Sequence, residues 1–320
     1  MRLPVLLFVL LGLTDVAHAA TLHPQRVGDG VYAFEGESGQ ANRDNRGFTS
    51  NAGFVVTRRG VLVFDALGTP ELARDMLAAI ATITRKPVRR VIVSHYHADH
   101  VYGLQVFQAA GAEIWAHRDG QRYLASDLAR ERLAERRRTL APWVDAETRL
   151  VAATHWIDFD ASGESTFTFG GRRFRLIQAG PAHAPEDLML FVERGRVLFA
   201  GDVFFSGRLP FVVDGDTRGW LAAIAHIKRL GATVVVPGHG PASRDVERDL
   251  QTSERYLHVL RHEMGVAVDA LESFDEAFSR IDWREFAALP TFDAAHRRNA
   301  YSVYLEMQAE LLGGIREDDD

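Results

Sequence analysis

Cysteine is absent from the 320-residue chain. Disulfide bridges, a thiolate nucleophile and cysteine metal ligands are excluded together, so any metal here must be held by His, Asp or Glu. A basic excess is missing too: 37 Lys and Arg stand against 43 Asp and Glu, a formal net charge of −6. Nucleic-acid binders usually show the opposite balance, so no nucleic-acid partner is expected. Repeats, low-complexity stretches and evident linkers are also lacking. The N-terminal apolar run, Leu3–Leu13, falls short of the roughly 20 residues that span a membrane. It follows Arg2 and precedes Ala17-His18-Ala19, the pattern of a cleavable signal peptide over residues 1–19. The expectation is a periplasmic or secreted protein with no stable membrane insertion after cleavage. Arg2 and Asp15 leave together, so the mature chain stays acidic.

What is present is a hydrophobic content of 47% with a mean hydropathy of −0.11, enough for a sizeable core in a water-facing chain. Strand patterns cover Gly30–Phe34 (as an edge strand), Gly53–Thr57, Val61–Phe64, Val88–Ser94 and Glu113–Ala116 in the first half. Ser165–Phe169, Arg172–Gln178, Leu188–Glu193, Val197–Ala200 and Thr233–Val236 follow in the second. Thr69-Pro70 reads as a helix cap with proline at the first helical position, opening a helix to Ile83. Helical patterns also cover Val101–Ala110, Arg118–Thr139, Thr217–Leu230 and most of Ser243–Gly313, with a disordered tail from Arg316. Strands in both halves, each with helices, imply two packed sheets with helices outside. Gly36–Ser50 is a polar loop.

The chemistry concentrates in Ser94-His95-Tyr96-His97-Ala98-Asp99-His100. Four candidate ligands fall within six residues at the end of a buried strand. Imidazoles with a carboxylate suit Zn²⁺, and a thiolate-free set also accepts Fe²⁺ or Mn²⁺. Three further candidates sit singly in Gly- or Pro-rich turns after strands: His183 in Gly180-Pro181-Ala182-His183, Asp202 in Ala200-Gly201-Asp202, and His239 in Pro237-Gly238-His239-Gly240. Alone, each reads as a turn or cap residue. Together they read as one convergent site.

The ordered set His95-x-His97-x-Asp99-His100, then His183, Asp202 and His239, resembles the metallo-β-lactamase superfamily. The resemblance implies an α+β fold, the four-layer αββα sandwich, over residues 20–242, with residues 243–320 as a helical extension packed on it. It implies two Zn²⁺ per chain: His95, His97 and His183 on the first, Asp99, His100 and His239 on the second, and Asp202 bridging both. Asp202 stands where class B1 β-lactamases have cysteine, which is similar to the glyoxalase II branch. The interval from Asp202 to His239 is too short for the extra domain of nucleic-acid-cleaving members. The loop phrasing around Gly180–Phe204 and the segment Arg297–Tyr301 resemble SoxH-like or quinoprotein-relay zinc metallohydrolases. The implied activity is hydrolysis of a small-molecule ester, thioester, lactone or amide by a metal-bridging hydroxide, with Asp99 as proton shuttle. Two other readings stand beside it: a broad-sense periplasmic β-lactamase, and a metal-carrying accessory protein of a periplasmic redox or sulfur-oxidation system. Ser94 and Asp65 are candidate partners of the histidine ligands, Asp65 equally a strand-end cap. Tyr96, Tyr102, Phe204, Phe205, Phe211 and Trp220 are expected to serve the core rather than line the site. Arg43 and Arg46 in the polar loop suggest an anion clamp by position alone. The Arg136-Arg137-Arg138 run reads as a solvated helix face.

Overall fold

The computed structural model describes residues 22–317, with side chains described to residue 313. The signal segment expected over residues 1–19 lies outside the described residues, as do residues 318–320.

Seven strands form the first sheet in sequential order: β1 (Gln25–Gly28), β2 (Val31–Phe34), β3 (Ala52–Val56), β4 (Val61–Phe64), β5 (Val88–Ile92), β6 (Glu113–His117) and β7 (His155–Ile157). Five form the second: β8 (Glu164–Phe169), β9 (Arg172–Gln178), β10 (Leu188–Val192), β11 (Val197–Phe205) and β12 (Val234–His239), in the order β12-β11-β10-β9-β8. The helices are α1 (Pro70–Ile83), α2 (Ala98–Val101), α3 (Leu104–Ala109), α4 (Gly120–Ala125), α5 (Asp127–Thr139), α6 (Thr217–Leu230), α7 (Val246–Asp269), α8 (Phe274–Arg280) and α9 (Phe292–Glu317).

The period-two alternation of strands assigns the layers. In β4, Leu62 and Phe64 face the second sheet, while Val61 and Val63 face helices. In β10, Leu188, Leu190 and Val192 face the first sheet, while Met189 and Phe191 turn outward. Phe64 stacks on Phe199 across the two sheets at 5.4 Å. Outside the first sheet, α1 buries Leu72, Met76 and Ile80, each contributing about 1.5–3 kcal/mol when removed from water. Outside the second, α6 places Trp220, Ile224 and Ile227 against the sheet in one core with Leu257, Leu260 and Met264 of α7 and Ala300 and Val303 of α9. The result is the αββα sandwich, with a C-terminal helical region on its second outer face.

Local chemistry sets several boundaries. Thr69 caps α1 by accepting from Leu72 N, and Pro70 opens the helix. Asp216 caps α6, and Gly231 ends it in a left-handed conformation. The helix expected over Arg118–Thr139 is two helices: Ser126 adopts an extended conformation and caps α5 by accepting from Ala129 N. β2 is not an edge strand, because β1 pairs outside it. β11 runs five residues past the expected Ala200, and α9 continues to Glu317 where a disordered tail was expected. No helix among the described residues is long and apolar enough to cross a membrane.

Candidate metal centre

Five strand ends feed one point. β4 leads into Asp65, β5 into Ser94 and His95, β9 into the turn with His183, while β11 and β12 carry Asp202 and His239 themselves. Asp202 is therefore within a strand rather than after one. A register shift against β12 at Gly201, with φ of 54°, turns the chain there. A Cβ at Gly201 would lie 2.8 Å from Ser94 Cβ, so glycine also lets the two sheets' strand ends approach. Asp65 has φ of 60°, uncommon for a residue with a side chain and found preferentially at functional sites.

All seven predicted ligands meet. His95, His97 and His183 offer one group of converging ligand atoms, Asp99, His100 and His239 a second, and His95, His100 and Asp202 a third that joins them. Asp202 sits between the two outer groups. Its Oδ2 lies 3.3 Å from His183 Nε2 and 3.3 Å from His239 Nε2, and its Oδ1 lies 3.1 Å from His100 Nε2. Asp99 Oδ2 lies 3.4 Å from His239 Nε2. His95 Nε2, His100 Nε2 and Asp202 Oδ1 are buried without an aligned hydrogen-bond partner. Buried polar atoms are normally satisfied, so three orphans aimed at one another mark a place for cations. The donor set of imidazole nitrogens and carboxylates fits divalent ions of the zinc type.

The second nitrogen of each histidine is also held. His100 Nδ1 lies 2.8 Å from Asp65 Oδ2, and Asp65 in turn accepts from Ser94 N at 2.7 Å and Ser94 Oγ at 2.8 Å. Ser94 Oγ lies 3.0 Å from His95 Nδ1. His183 Nδ1 faces the Phe211 carbonyl at 2.9 Å, and His239 Nδ1 the Thr49 carbonyl at 2.7 Å. His97 Nε2 faces Asp214 Oδ2 at 3.3 Å, and Arg132 holds the same carboxylate. These contacts set each ring's orientation and turn its other nitrogen toward the centre, as a bound cation requires: those of His95 and His100 have no aligned partner, while His97 Nδ1 and His183 Nε2 face each other at 2.8 Å.

The electrostatics agree at His95, His183 and the carboxylates, whereas at His100 burial is outweighed by Asp202, Asp99 and Asp65, which hold its pKa well above the ordinary value. Burial, with His100 and His97 nearby, drives the His95 pKa well below its ordinary value. Burial lowers that of His183 to about 4 against the pull of Asp202. Both rings are neutral near pH 7. Burial opposes ionisation of Asp202, but His239, His100 and His183 outweigh it and hold its pKa well below the carboxylate range. The hydrogen bond from His97, helped by Arg132, pulls Asp214 down as well.

Asp65 and Ser94 thus contact the ligand histidines, as sequence position suggested. Asp214, Phe211 and Thr49 were not anticipated. Two of these act through backbone carbonyls, which no residue identity advertises. Tyr96, Tyr102, Phe204, Phe205 and Trp220 are buried in packing, though Phe205 stacks on His239 at 5.0 Å and Trp220 meets His183 edge-on at 5.3 Å. The loop arginines point to other work: Arg46 pairs with Asp75, and Arg43 donates to the Arg138 carbonyl. The polar loop serves the site through Thr49 and through Ser50, whose hydroxyl donates to the Asp99 carbonyl. Nor is the arginine run simply solvated, because Arg137 donates to the carbonyls of Asp145 and Thr148.

Asp65→Asn is expected to weaken Zn²⁺ binding about 10- to 100-fold, because the carboxylate orients His100 and raises its basicity. Chelator competition measures this; unchanged affinity would return Asp65 to a strand-end cap.

The profile of the Metallo-beta-lactamase superfamily matches residues 45–239. The alpha subunit of 2,4-dinitroanisole O-demethylase from Nocardioides sp. is 28% identical over 249 residues, covering 72% of this chain and 69% of that protein. A linear primary-alkylsulfatase from Pseudomonas sp. is 22% identical over 240 residues, covering 62% of this chain and 44% of that protein. The solved structure of an inverting sec-alkylsulfatase from Pseudomonas sp. superposes with a TM-score of 0.68 at 17% identity, over 89% of this chain and 50% of that one. The chain thus spans about half the length of these alkylsulfatases.

Proposed function

The chain belongs to the metallo-beta-lactamase superfamily, and on that premise we propose that it is a binuclear zinc hydrolase acting on an ester, thioester, lactone or amide of a small molecule. The observation that carries this reading is the joining of two three-ligand groups through Asp202, with the inward Nε2 atoms of His95 and His100 left unpartnered. His95, His97 and His183 would hold one ion, Asp99, His100 and His239 the other, and Asp202 both. Iron or manganese would suit the same donors. Ions bound there would supply Lewis acidity and a water of lowered pKa.

The chain's own groups divide the remaining work. Asp202 brings the negative charge that joins the two groups of ligands. Asp99, with its side chain 24% exposed against 5% for Asp202, opens to solvent and is placed to take and return a proton. Asp65, Asp214 and the carbonyls of Thr49 and Phe211 hold the rings against rotation as charge develops, so little reorganisation is needed during the reaction. The helical region from residue 243 would belong to this domain as an extension, and export through a cleaved segment at residues 1–19 would put the reaction in the periplasm or outside the cell. A β-lactam and a sulfate ester are further substrate classes for the same centre; the second is suggested by the names of two similar proteins.

The test is elemental analysis of the purified protein together with hydrolysis of a cephalosporin, a lactone, a thioester and an alkyl sulfate. About two zinc ions per chain and chelator-sensitive turnover of one class are expected. Bound zinc with no turnover of any class would favour the accessory-protein reading. No bound metal after zinc is supplied would overturn the proposal.

A further inference from the structure

The loop between β11 and α6 serves the first group of ligands twice. Its Phe211 carbonyl faces His183 Nδ1 at 2.9 Å, and its Asp214 Oδ2 lies 3.3 Å from His97 Nε2. What holds the loop is the C-terminal helical region. Leu209 N donates to the Pro290 carbonyl at 3.1 Å, and Thr291 Oγ1 donates to the Leu209 carbonyl at 3.2 Å. Ser302 Oγ of α9 donates to the Val213 carbonyl at 2.9 Å. Between these contacts stands Asn299 of α9, fully buried. Its Oδ1 accepts from Val212 N at 2.9 Å, and its Nδ2 donates to the Pro210 carbonyl at 2.7 Å.

Asn299 therefore brackets Phe211, gripping the residue on either side of it. A backbone N–H only donates and a carbonyl only accepts, so this pair of bonds needs a side chain offering both an acceptor and a donor, and it fixes which way the amide points. Nδ2 also reaches Tyr256 Oη at 3.2 Å, and that oxygen lies 3.0 Å from His296 Nδ1. The amide cannot swing without leaving buried polar groups unsatisfied, which is costly. The second group of ligands is supported from a different part of the chain, ahead of α1: Asp65 for His100, the Thr49 carbonyl for His239, and Ser50 for the Asp99 carbonyl.

We propose that Asn299 is a positioning residue for the first metal: by clamping Pro210 and Val212 it aims the Phe211 carbonyl at His183, which makes the C-terminal helical region a working part of the metal centre on that side alone. Asp214 is secured by Arg132 of α5 as well, so the effect falls first on His183. The inference rests on the two-ion reading of the centre, and the test separates the two.

The experiment compares the purified wild type with Asn299→Leu, which keeps the size and loses both bonds, and with Asn299→Asp, which keeps the acceptor for Val212 N and loses the donor to the Pro210 carbonyl. Chelator competition measures Zn²⁺ affinity ion by ion. NMR follows the imidazole N–H signals of His183 and His239, each assigned by its loss when that histidine is substituted. In Asn299→Leu one ion is held about 10- to 100-fold less tightly and the other as in the wild type. The His183 signal is lost to exchange with water while that of His239 stays. Asn299→Asp weakens the same ion by a smaller factor. A role in stability alone would lower the thermal midpoint and leave both affinities and both signals unchanged. That result, or equal weakening of the two ions, overturns the proposal. Should neither Asn299 variant fold, Ser302→Ala, at an exposed contact on the same loop, takes their place, with the same asymmetry expected on a smaller scale. If the wild type binds fewer than two zinc ions, the two-ion reading fails, and the His183 signal in the metal-free protein decides the matter of Asn299: its loss in Asn299→Leu supports the proposal and its persistence overturns it.

Discussion

Asp202→Ala is expected to lose bound metal and to lower kcat/KM by about 1,000-fold or more, the scale of removing a group central to charge stabilisation. The reason is geometric. Among the described residues, Asp202 is the one side chain whose oxygens approach ring nitrogens from both outer ligand groups, at 3.3 Å to His183 and 3.3 Å to His239. It is nearly fully buried, and the surrounding histidines hold it ionised. Without it, the two groups face each other with nothing to join them or balance two cations. His97→Ala, which takes one ligand from the first group alone, should leave the second group of Asp99, His100 and His239 able to hold one ion. Elemental analysis after dialysis, read beside the rate on whichever ester or lactone the wild type accepts, checks both. Wild-type metal content and rate in Asp202→Ala would sink the two-metal mechanism while leaving the fold untouched.

Gly238→Ala should do comparable damage with a single methyl group. Its Cβ would fall 1.9 Å from Asp202 Oδ1, 2.7 Å from Gly201 C and 2.8 Å from Asp202 N. Two of these neighbours are backbone and the third is the shared carboxylate, so none can swing aside. Nor can the Gly238 turn retreat. Asn51 grips it from the other sheet, donating from its backbone to the Gly238 carbonyl at 2.7 Å and from its side chain to the carbonyls of Pro237 and Gly240 at 2.8 and 2.7 Å. Overpacking of this kind costs about 1–3 kcal/mol, and here the strain falls on the site. Expected results are a lower thermal midpoint and weakened metal binding together, read by thermal unfolding with and without added Zn²⁺. A variant as stable as the wild type with full metal content would show that the two strands can separate there.

The sandwich and its candidate ligands were legible in the sequence for a common reason: both are local. Alternation within β4 and β10 follows from the pleat, and the limits of α1 and α6 follow from Thr69-Pro70, Asp216 and Gly231. The candidate ligands are side chains of distinctive chemistry at or near strand ends, Asp202 inside β11 included, so their order along the chain carried the resemblance. Elements whose limits depend on distant partners were less legible. β7, three residues long, exists because β6 pairs with it. β11 continues through Asp202 and on to Phe205, because β12 keeps pairing beyond the bulge. The break at Ser126 lies inside a uniformly charged stretch where a continuous helix and a capped restart read alike.

By itself, then, the sequence determined the layer architecture and the identity of the seven converging side chains, because periodicity and side-chain chemistry are written residue by residue. Only the tertiary structure decided what stands behind them. Thr49 and Phe211 contribute carbonyls that every residue possesses, and Asp214 becomes the partner of His97 because a loop returns past α5. Desolvation and hydrogen-bond geometry are properties of surroundings in space, and those surroundings exist only once the two sheets have closed.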